Sequence, residues 1–450
     1  MKRSHCLRVW ALLAGLAAVS AARAQEPTPS QLQAEIEQLQ ARVQVLQSQQ
    51  QAHQQDTAAA IDAILRDADR RSRLLADESP TMAGHDRGRF WMGSADGAFL
   101  LRPGVLLQFR GVAAWSEDGK GGGRDSTESG FEAARARLEL DGTAFTPELT
   151  YFMEFSADDG QDVQLHRAWV RYQFTDNWSL RVGQFKDPVH HEELTSSSRQ
   201  LAVERSLVNE VLGGGLSGRV QGMSLIHGGH ADSSALSAEM AVHDGLESRN
   251  TPWPDEAGPG GAVQHWGIGG RAEYRALGHW RNYTDFTARG TEKDLLVLGM
   301  GGDYTEADDA AYVLGTADVQ WENAGGLGVY GALLLTWTDP DAGEDLLNWG
   351  VVVQGGYMLW PTWEVFGRYG LILLDDAVAV GDATEDTFHE FTVGVNRYLG
   401  TNGSAGHRAK ITIDLTWLPQ GSPSRQDAID VPAGVGGAQV ILRGQFQLAL

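Results

Sequence analysis

Cysteine is almost missing from this chain: the only one, Cys6, lies within the first 24 residues. If those residues are removed, no thiol remains, which excludes disulfides and thiolate metal centres. Lysine is nearly as scarce, with only Lys120, Lys186, Lys293 and Lys410 beyond Lys2. Long apolar runs are lacking too. A helical membrane span needs roughly 20 apolar residues, whereas runs such as Leu295 to Leu298 and Val351 to Val353 are strand-sized. That excludes a helical membrane protein. No nucleophile, base and orienting acid group into a triad, so an enzyme has no residues to stand on and no cofactor is expected.

What is present begins with Lys2, Arg3 and Arg8 ahead of the apolar run Val9 to Val19, closed by Ala22-Arg23-Ala24. Residues 1–24 therefore read as a cleavable secretory signal. Gln25 stands where a lipidated cysteine would have to be. Over residues 25–76, Leu32, Ile36, Leu39, Val43 and Leu46 fall at heptad spacing and continue more weakly through Ile61, Ile64 and Leu65. This predicts a short α-helical coiled coil, with Gln50 and His53 as polar core layers that set register. The alternative is a lone amphipathic helix. Residues 77–89, with Pro80 and Gly84, read as a linker.

From residue 90 to 450 the helical period gives way to alternating segments separated by Gly, Asp, Asn and Pro. Strands are expected at 105–115, 131–143, 149–156, 164–174, 178–185, 222–228, 236–243, 266–275, 294–303, 312–321, 327–337, 348–358, 363–371, 389–399, 410–418 and 438–448. That is sixteen. In the second, Arg135, Arg137, Glu139 and Asp141 share one face while Ala136, Leu138 and Leu140 share the other. A charged face against a purely apolar one suits a polar lumen and a lipid surface better than a soluble β-sandwich. Tight turns at Thr146-Pro147-Glu148 and Thr175-Asp176-Asn177 contrast with long segments at Ser116 to Gly130 and Glu247 to Val263.

The expected fold is thus all-β: a 16-stranded antiparallel transmembrane barrel in an outer membrane, with the coiled coil on the periplasmic side. An open edge would leave backbone groups unpaired in hydrocarbon, so the last strand must meet the first. Trp115, Trp169, Trp178, Trp321, Trp337, Trp349, Trp360, Trp363 and Trp417 are placed for an interfacial girdle. Phe446 stands in for the aromatic residue that commonly ends such barrels, since the chain closes on Leu450. The net charge of -23 fits acidic outer loops. Partners would be outer-membrane lipid, lipopolysaccharide and small solutes, not nucleic acid.

The segment Trp178-Ser-Leu-Arg-Val-Gly-Gln-Phe-Lys-Asp-Pro188, followed by Glu192-Glu-Leu-Thr-Ser-Ser197 and Glu204-Arg205-Ser206, resembles the phosphate-selective porin family. It is similar to that family's R-x-G-x-F-K-x-P, E-E-L-T-S-S and M-E-R-S blocks, with weaker similarity from Phe131 to the last strand. The resemblance implies a homotrimeric porin whose third outer loop folds into the channel and passes phosphate, polyphosphate or other small anions. It also implies hydroxyls from Ser196 and Ser197 at the constriction, and Arg205 in an arginine ladder. Departures are Ser198, where the family often has lysine, with Arg199 one place on, and Arg167 before Ala168-Trp169, where an acid is expected. With so few lysines, the lysine funnel of phosphate-specific members cannot be built.

The residues themselves give the same picture, because the stretch from Lys186 to Gln221 is too long for a tight turn and lacks a full strand. An inward loop over about 186–221 fits best. The expected anion pathway is Arg135, Arg137, Arg167, Arg171, Arg181, Lys186, Ser196, Ser197, Arg199, Arg205 and Arg219. A guanidinium is always charged and forked to suit oxyanions. The competing expectation is that these arginines pair with Glu139, Asp141, Glu154, Glu192 and Glu204 and merely brace the loop. Other readings of the whole chain are a general or organic-anion porin, or an envelope tether that contacts the cell wall through its coiled coil.

Three motifs are set aside. His190-His191-Glu192-Glu193 lacks the second helical histidine of a zinc protease. Gly213-x-Gly215-x-x-Gly218 lacks the strand-turn-helix setting of a dinucleotide fingerprint and reads as a flexible loop. Asp303, Glu306, Asp308 and Asp309, like Asp339, Asp341, Glu344 and Asp345, read as solvated acidic loops rather than calcium sites. No metal site is expected.

Overall fold

The computed structural model describes residues 81–86, 88–117, 126–158, 163–248, 264–308, 310–375, 385–423 and 437–450. The expected signal and coiled coil lie outside the described residues. Sixteen strands, β3 (Leu100–Ser116) through β18 (Gln439–Ala449), form one antiparallel sheet in which each strand pairs with its neighbours in sequence. The sheet closes on itself where β18 pairs with β3, from Gln439↔Ser116 to Ala449↔Leu106. Leu450 and Val105 then exchange backbone hydrogen bonds of 2.9 and 3.1 Å. No edge is left to the hydrocarbon, as the physics requires. Among the described residues no helix is long and apolar enough to cross a membrane.

The alternation in sequence becomes an inside and an outside. On β17 (Ala409–Leu418), Lys410, Thr412, Asp414 and Thr416 are buried inward while Ile411, Ile413, Leu415 and Trp417 are exposed. β18 repeats the pattern, with Arg443, Gln445 and Gln447 inside and Leu442 and Phe446 outside. A sheet that exposes its apolar side chains and buries its polar ones is built for lipid. Trp115, Trp178, Trp349, Trp360, Trp363 and Trp417 belong to the outer face. Trp169 does not: it packs inside against Phe185, Val220 and Ala241.

Several expectations are corrected. The described part of the expected linker carries β1 (Thr81–Asp86), which forms a hairpin with β2 (Arg89–Ser94). Arg89 and Arg102 both pair with Asp141, at 2.6 and 2.5 Å, which fastens that hairpin to the barrel. Asp141 is therefore not the partner of the lumen arginines. Strand β8 begins at Arg219, so the inward loop spans 187–218 and Arg219 belongs to the wall. Asp303 is not in a solvated loop but buried on β11 (Leu295–Ala307). The glycine-rich stretch forms a helical turn, Gly214–Ser217.

The two ends of the barrel differ less than expected. The joints at 145, 176–177 and 361–362 are tight, but on the same side residues 278–294 form a long segment that turns inward. Its Trp280, Tyr283, Phe286 and Ala288 are buried, and Thr291 and Thr287 hydrogen-bond to Glu322 and Glu364 on the wall, at 2.7 and 2.5 Å. This second inward segment meets the first: the His191 ring stacks on Tyr283 with centroids 3.9 Å apart.

Candidate functional site: a constricted lumen

The inward loop carries helical turn α1 (His191–Leu194), a 3-10 turn Ser197–Arg199, helix α2 (Leu207–Leu212) and helical turn α3 (Gly214–Ser217). Ser206 caps α2, its side-chain oxygen accepting from Asn209 N. The apolar side of the loop, Leu201, Leu207, Val208, Val211 and Leu212, packs on Tyr330, Leu334, Val352, Phe366, Ile372 and Phe388. These wall residues face inward from β13 (Leu327–Pro340), β14 (Leu346–Trp360), β15 (Trp363–Leu373) and β16 (Thr387–Tyr398). Burying a side chain of this size stabilises by about 1.5–3 kcal/mol, so the loop is seated and not draped.

Polar pins fix its height. Asp414 and Glu390 accept from the backbone N–H groups of Val203 and Leu207, at 2.7 and 2.8 Å. Lys410 donates to the Gln200 carbonyl at 2.6 Å and Gln447 to that of Ser198 at 2.9 Å. With the loop held against that side, the open lumen lies between it and the wall from β3 to β9 (Leu236–His243). A cavity of about 440 Å³ there is lined by Arg110, Arg135, Arg137, Arg205 and Arg219, faced by Asp158, Glu193, Glu204 and Glu210. A smaller one of about 150 Å³ holds Arg171, Arg181 and Glu239 with Arg271 and Glu273. Arg171 and Arg181 oppose each other in register, and Arg219 opposes Lys186 five residues further along β7 (Trp178–Lys186). At ~3.4 Å per residue that separates the two arginine levels by ~17 Å.

Most of the expected pathway residues are ion-paired. Arg135 meets Glu204 at 2.7 Å, and Arg110 pairs with the same carboxylate. Arg137 pairs with Asp158 and reaches Ser197 Oγ at 3.4 Å. Arg167 meets Glu154 at 2.6 Å, and Arg181 pairs with Glu239 while lying over the Phe185 ring at 3.9 Å. Lys186 donates to the Glu193 carbonyl. Arg205 meets Glu193 at 3.1 Å and donates to the carbonyls of Glu192, Glu193 and Thr195. Ser196 is exposed, and its hydroxyl oxygen accepts from Ser198 N at 3.3 Å; Ser197 is buried.

Three arginines differ. Arg171 donates to the Ser179 hydroxyl at 2.7 Å, Arg219 lies 3.2 Å from His166 Nδ1, and the exposed Arg199 reaches the Thr284 carbonyl at 3.5 Å. None of the three forms an ion pair among the described residues.

Charge on the loop is set by these neighbours. Burial raises the Glu204 carboxyl, but Arg135 and Arg110 outweigh it and hold the group down at about 2. Glu193 is held at about 2 by Arg205 and Lys186 in the same way. Burial pushes Glu210 up to about 8, with Arg205 opposing. Burial, aided by Arg271, lowers His190 and His191 to about 4, so both are neutral rings.

Arg110, Arg271, Arg368 and Arg443 were not singled out in the sequence. Arg368 meets Glu390 at 2.9 Å and Arg443 meets Asp414 at 2.8 Å. Alternation would have found Arg443, which shares a face with Gln445 and Gln447.

The phosphate-selective porin O and P family model matches residues 117–403. No curated protein sequence matches the chain. Among solved structures, the anion-selective porin from Comamonas acidovorans superposes with a TM-score of 0.53 at 16% identity, covering 78% of this chain and 99% of that one. An OmpF of Salmonella typhi, in complex with daunomycin, gives 0.52 at 12% identity, covering 82% and 100%. OmpT of Vibrio cholerae, folded in vitro, gives 0.50 at 9% identity, covering 78% and 98%. Identities this low speak to the barrel alone, but the family match spans most of the barrel and includes the inward loop. The chain belongs to the phosphate-selective porin O and P family and is an outer-membrane porin.

Proposed function

We propose that this porin passes small anions between the inward loop and the arginine wall, without a strong preference for phosphate. The observation that carries this is the state of Arg171 and Arg219, guanidiniums that line the two cavities with no carboxylate paired to them; the exposed Arg199 of the loop is unpaired too. An unpaired guanidinium offers its full charge to a passing anion, whereas a paired one contributes mainly a dipole. Several weak sites in series let an ion enter and still leave. Lys186, paired with Glu193, and Lys410, which donates to the Gln200 carbonyl, line neither cavity. The trimer implied by family resemblance belongs to the same reading, and chemical cross-linking in native membranes would display it.

The direct test contrasts two arginines that line the same cavity. Arg219→Ala is expected to lower the chloride-over-potassium permeability ratio several-fold. Arg205→Ala, which breaks a buried pair and empties three carbonyls, is expected to cost about 3–5 kcal/mol of stability with a much smaller change in selectivity. Equal loss of selectivity in both would assign the ladder to Arg205 as well.

The lumen should also respond to pH. Glu210, raised to about 8, is uncharged at pH 7 and gains a negative charge as pH rises through 8. Anion preference is therefore expected to fall between about pH 7 and pH 9, and Glu210→Gln should abolish that step. Reversal potentials across this range, with the same salt gradient, check it.

A further inference from the structure

Three buried side chains that line neither cavity meet at the root of the inward loop. Asp187 is the first residue after β7, His243 ends β9, and Asp303 lies on β11. They are 1%, 3% and 3% exposed. His243 Nε2 is 2.7 Å from Asp303 Oδ2, although β9 and β11 are not neighbours. Strand β10 (Gln264–Leu277) runs between them, and its Gly267 and Gly269 stand opposite His243 and Asp303 in register.

Those two glycines make the meeting possible. A Cβ on Gly269 would come within 2.6 Å of Asp303 Oδ2 and 2.9 Å of Asp187 Oδ1, and one on Gly267 within 2.3 Å of His243 Cε1. The recess they keep open holds one donor atom from each of the three side chains, all within 4.8 Å of one another. Asp187 is the independent sign of a missing partner: the Ser217 side chain approaches it, but neither of its oxygens completes a hydrogen bond of good geometry. Asp303, by contrast, accepts from Thr305 Oγ1 at 2.8 Å. Two buried carboxyls are crowded beside one imidazole, and burial with the neighbouring Asp303 pushes the Asp187 carboxyl up; a bound cation would relieve that crowding, since buried charges are normally paired or coordinate metals.

We propose that Asp187, His243 and Asp303 form a binding site for a divalent transition-metal ion of the zinc or manganese class. Two carboxylates and an imidazole suit these ions, whereas calcium takes oxygen donors. At present Gly245 N–H donates to His243 Nδ1 at 3.1 Å, so the ring hydrogen sits on Nε2. Coordination through Nε2 moves that hydrogen to Nδ1 and turns the Gly245 N–H away, which a turn glycine at φ 96° admits. Thr305 then orients Asp303 from outside the coordination sphere. The ion would tie the start of the inward loop to β9 and β11 without entering the conduction path.

Because the site is enclosed, the test loads it during folding. The full chain, stripped with EDTA while denatured, is folded into detergent with or without Zn²⁺, desalted and assayed by atomic emission and thermal unfolding. One retained zinc per chain and a higher unfolding temperature with zinc are expected. Asp187→Asn and His243→Gln should each lose both effects, by at least the roughly 10–100-fold that even outer partners of a metal ligand are worth. Heat-modifiable migration on gels verifies closure of each barrel; should His243→Gln fail to close, Asp187→Asn decides alone. Wild-type protein without retained zinc would overturn the proposal, as would zinc that survives Asp187→Asn or is instead lost with His265→Gln at the exposed His265–Asp308 pair.

Discussion

Replacing Arg171 and Arg219 together by glutamate is expected to turn the channel from anion-preferring to cation-preferring. These residues occupy the two arginine levels, and neither is neutralised by a carboxylate. At an effective dielectric of about 20, a unit charge about 5 Å from a passing ion contributes about 3 kcal/mol before salt screening. Even a third of that, inverted at two positions in series, changes the anion-to-cation ratio by more than about tenfold. The reversal potential in a potassium chloride gradient should change sign. A double variant that keeps the wild-type sign would remove these two residues from the pathway.

The second large effect is expected from Glu204→Ala. This carboxylate comes from the inward loop and holds two wall arginines, Arg110 on β3 and Arg135 on β4 (Ser126–Ala144). Removing one partner of a buried pair leaves uncompensated charge and costs about 3–5 kcal/mol. Arg135 would then face the larger cavity without its carboxylate, while Arg110 keeps Glu132, so anion preference should rise while the unfolding temperature falls. That opposite movement separates a brace from a ladder rung. If Glu204 were only a selectivity filter acid, stability would barely change; if it were only a brace, the reversal potential would stay put. Glu204→Gln, which keeps the shape, should show the same selectivity change with a smaller loss of stability.

Much of this architecture was legible because a lipid-spanning strand must alternate. The Arg135, Arg137, Glu139, Asp141 face against Ala136, Leu138 and Leu140 is enough to place β4, and the same logic repeated along the chain gives sixteen strands. The inward loop was legible from its length and motif, but its seat was not singled out. That seat left a trace: in Leu333-Leu334-Leu335, Val351-Val352-Val353 and Leu371-Ile372-Leu373 both faces are apolar, because the lumen side receives the loop. The second inward segment was missed although Trp280, Tyr283 and Phe286 recur every three residues, the period of a 3-10 turn. The hairpin at 81–94 was missed because a short strand pair packed on a barrel end lacks the period of a spanning strand. Ion pairing could not be read at all. Arg135 and Glu204 are 69 residues apart, and which carboxylate reaches which arginine is decided by where the loop is pinned.

Unpaired arginines on the barrel wall are expected to give this porin an anion preference. The most direct measurement is the zero-current potential of wild-type protein in a planar bilayer across a potassium chloride gradient at pH 7. The expected result is the sign of chloride permeability exceeding potassium; a potential of the opposite sign would contradict the account.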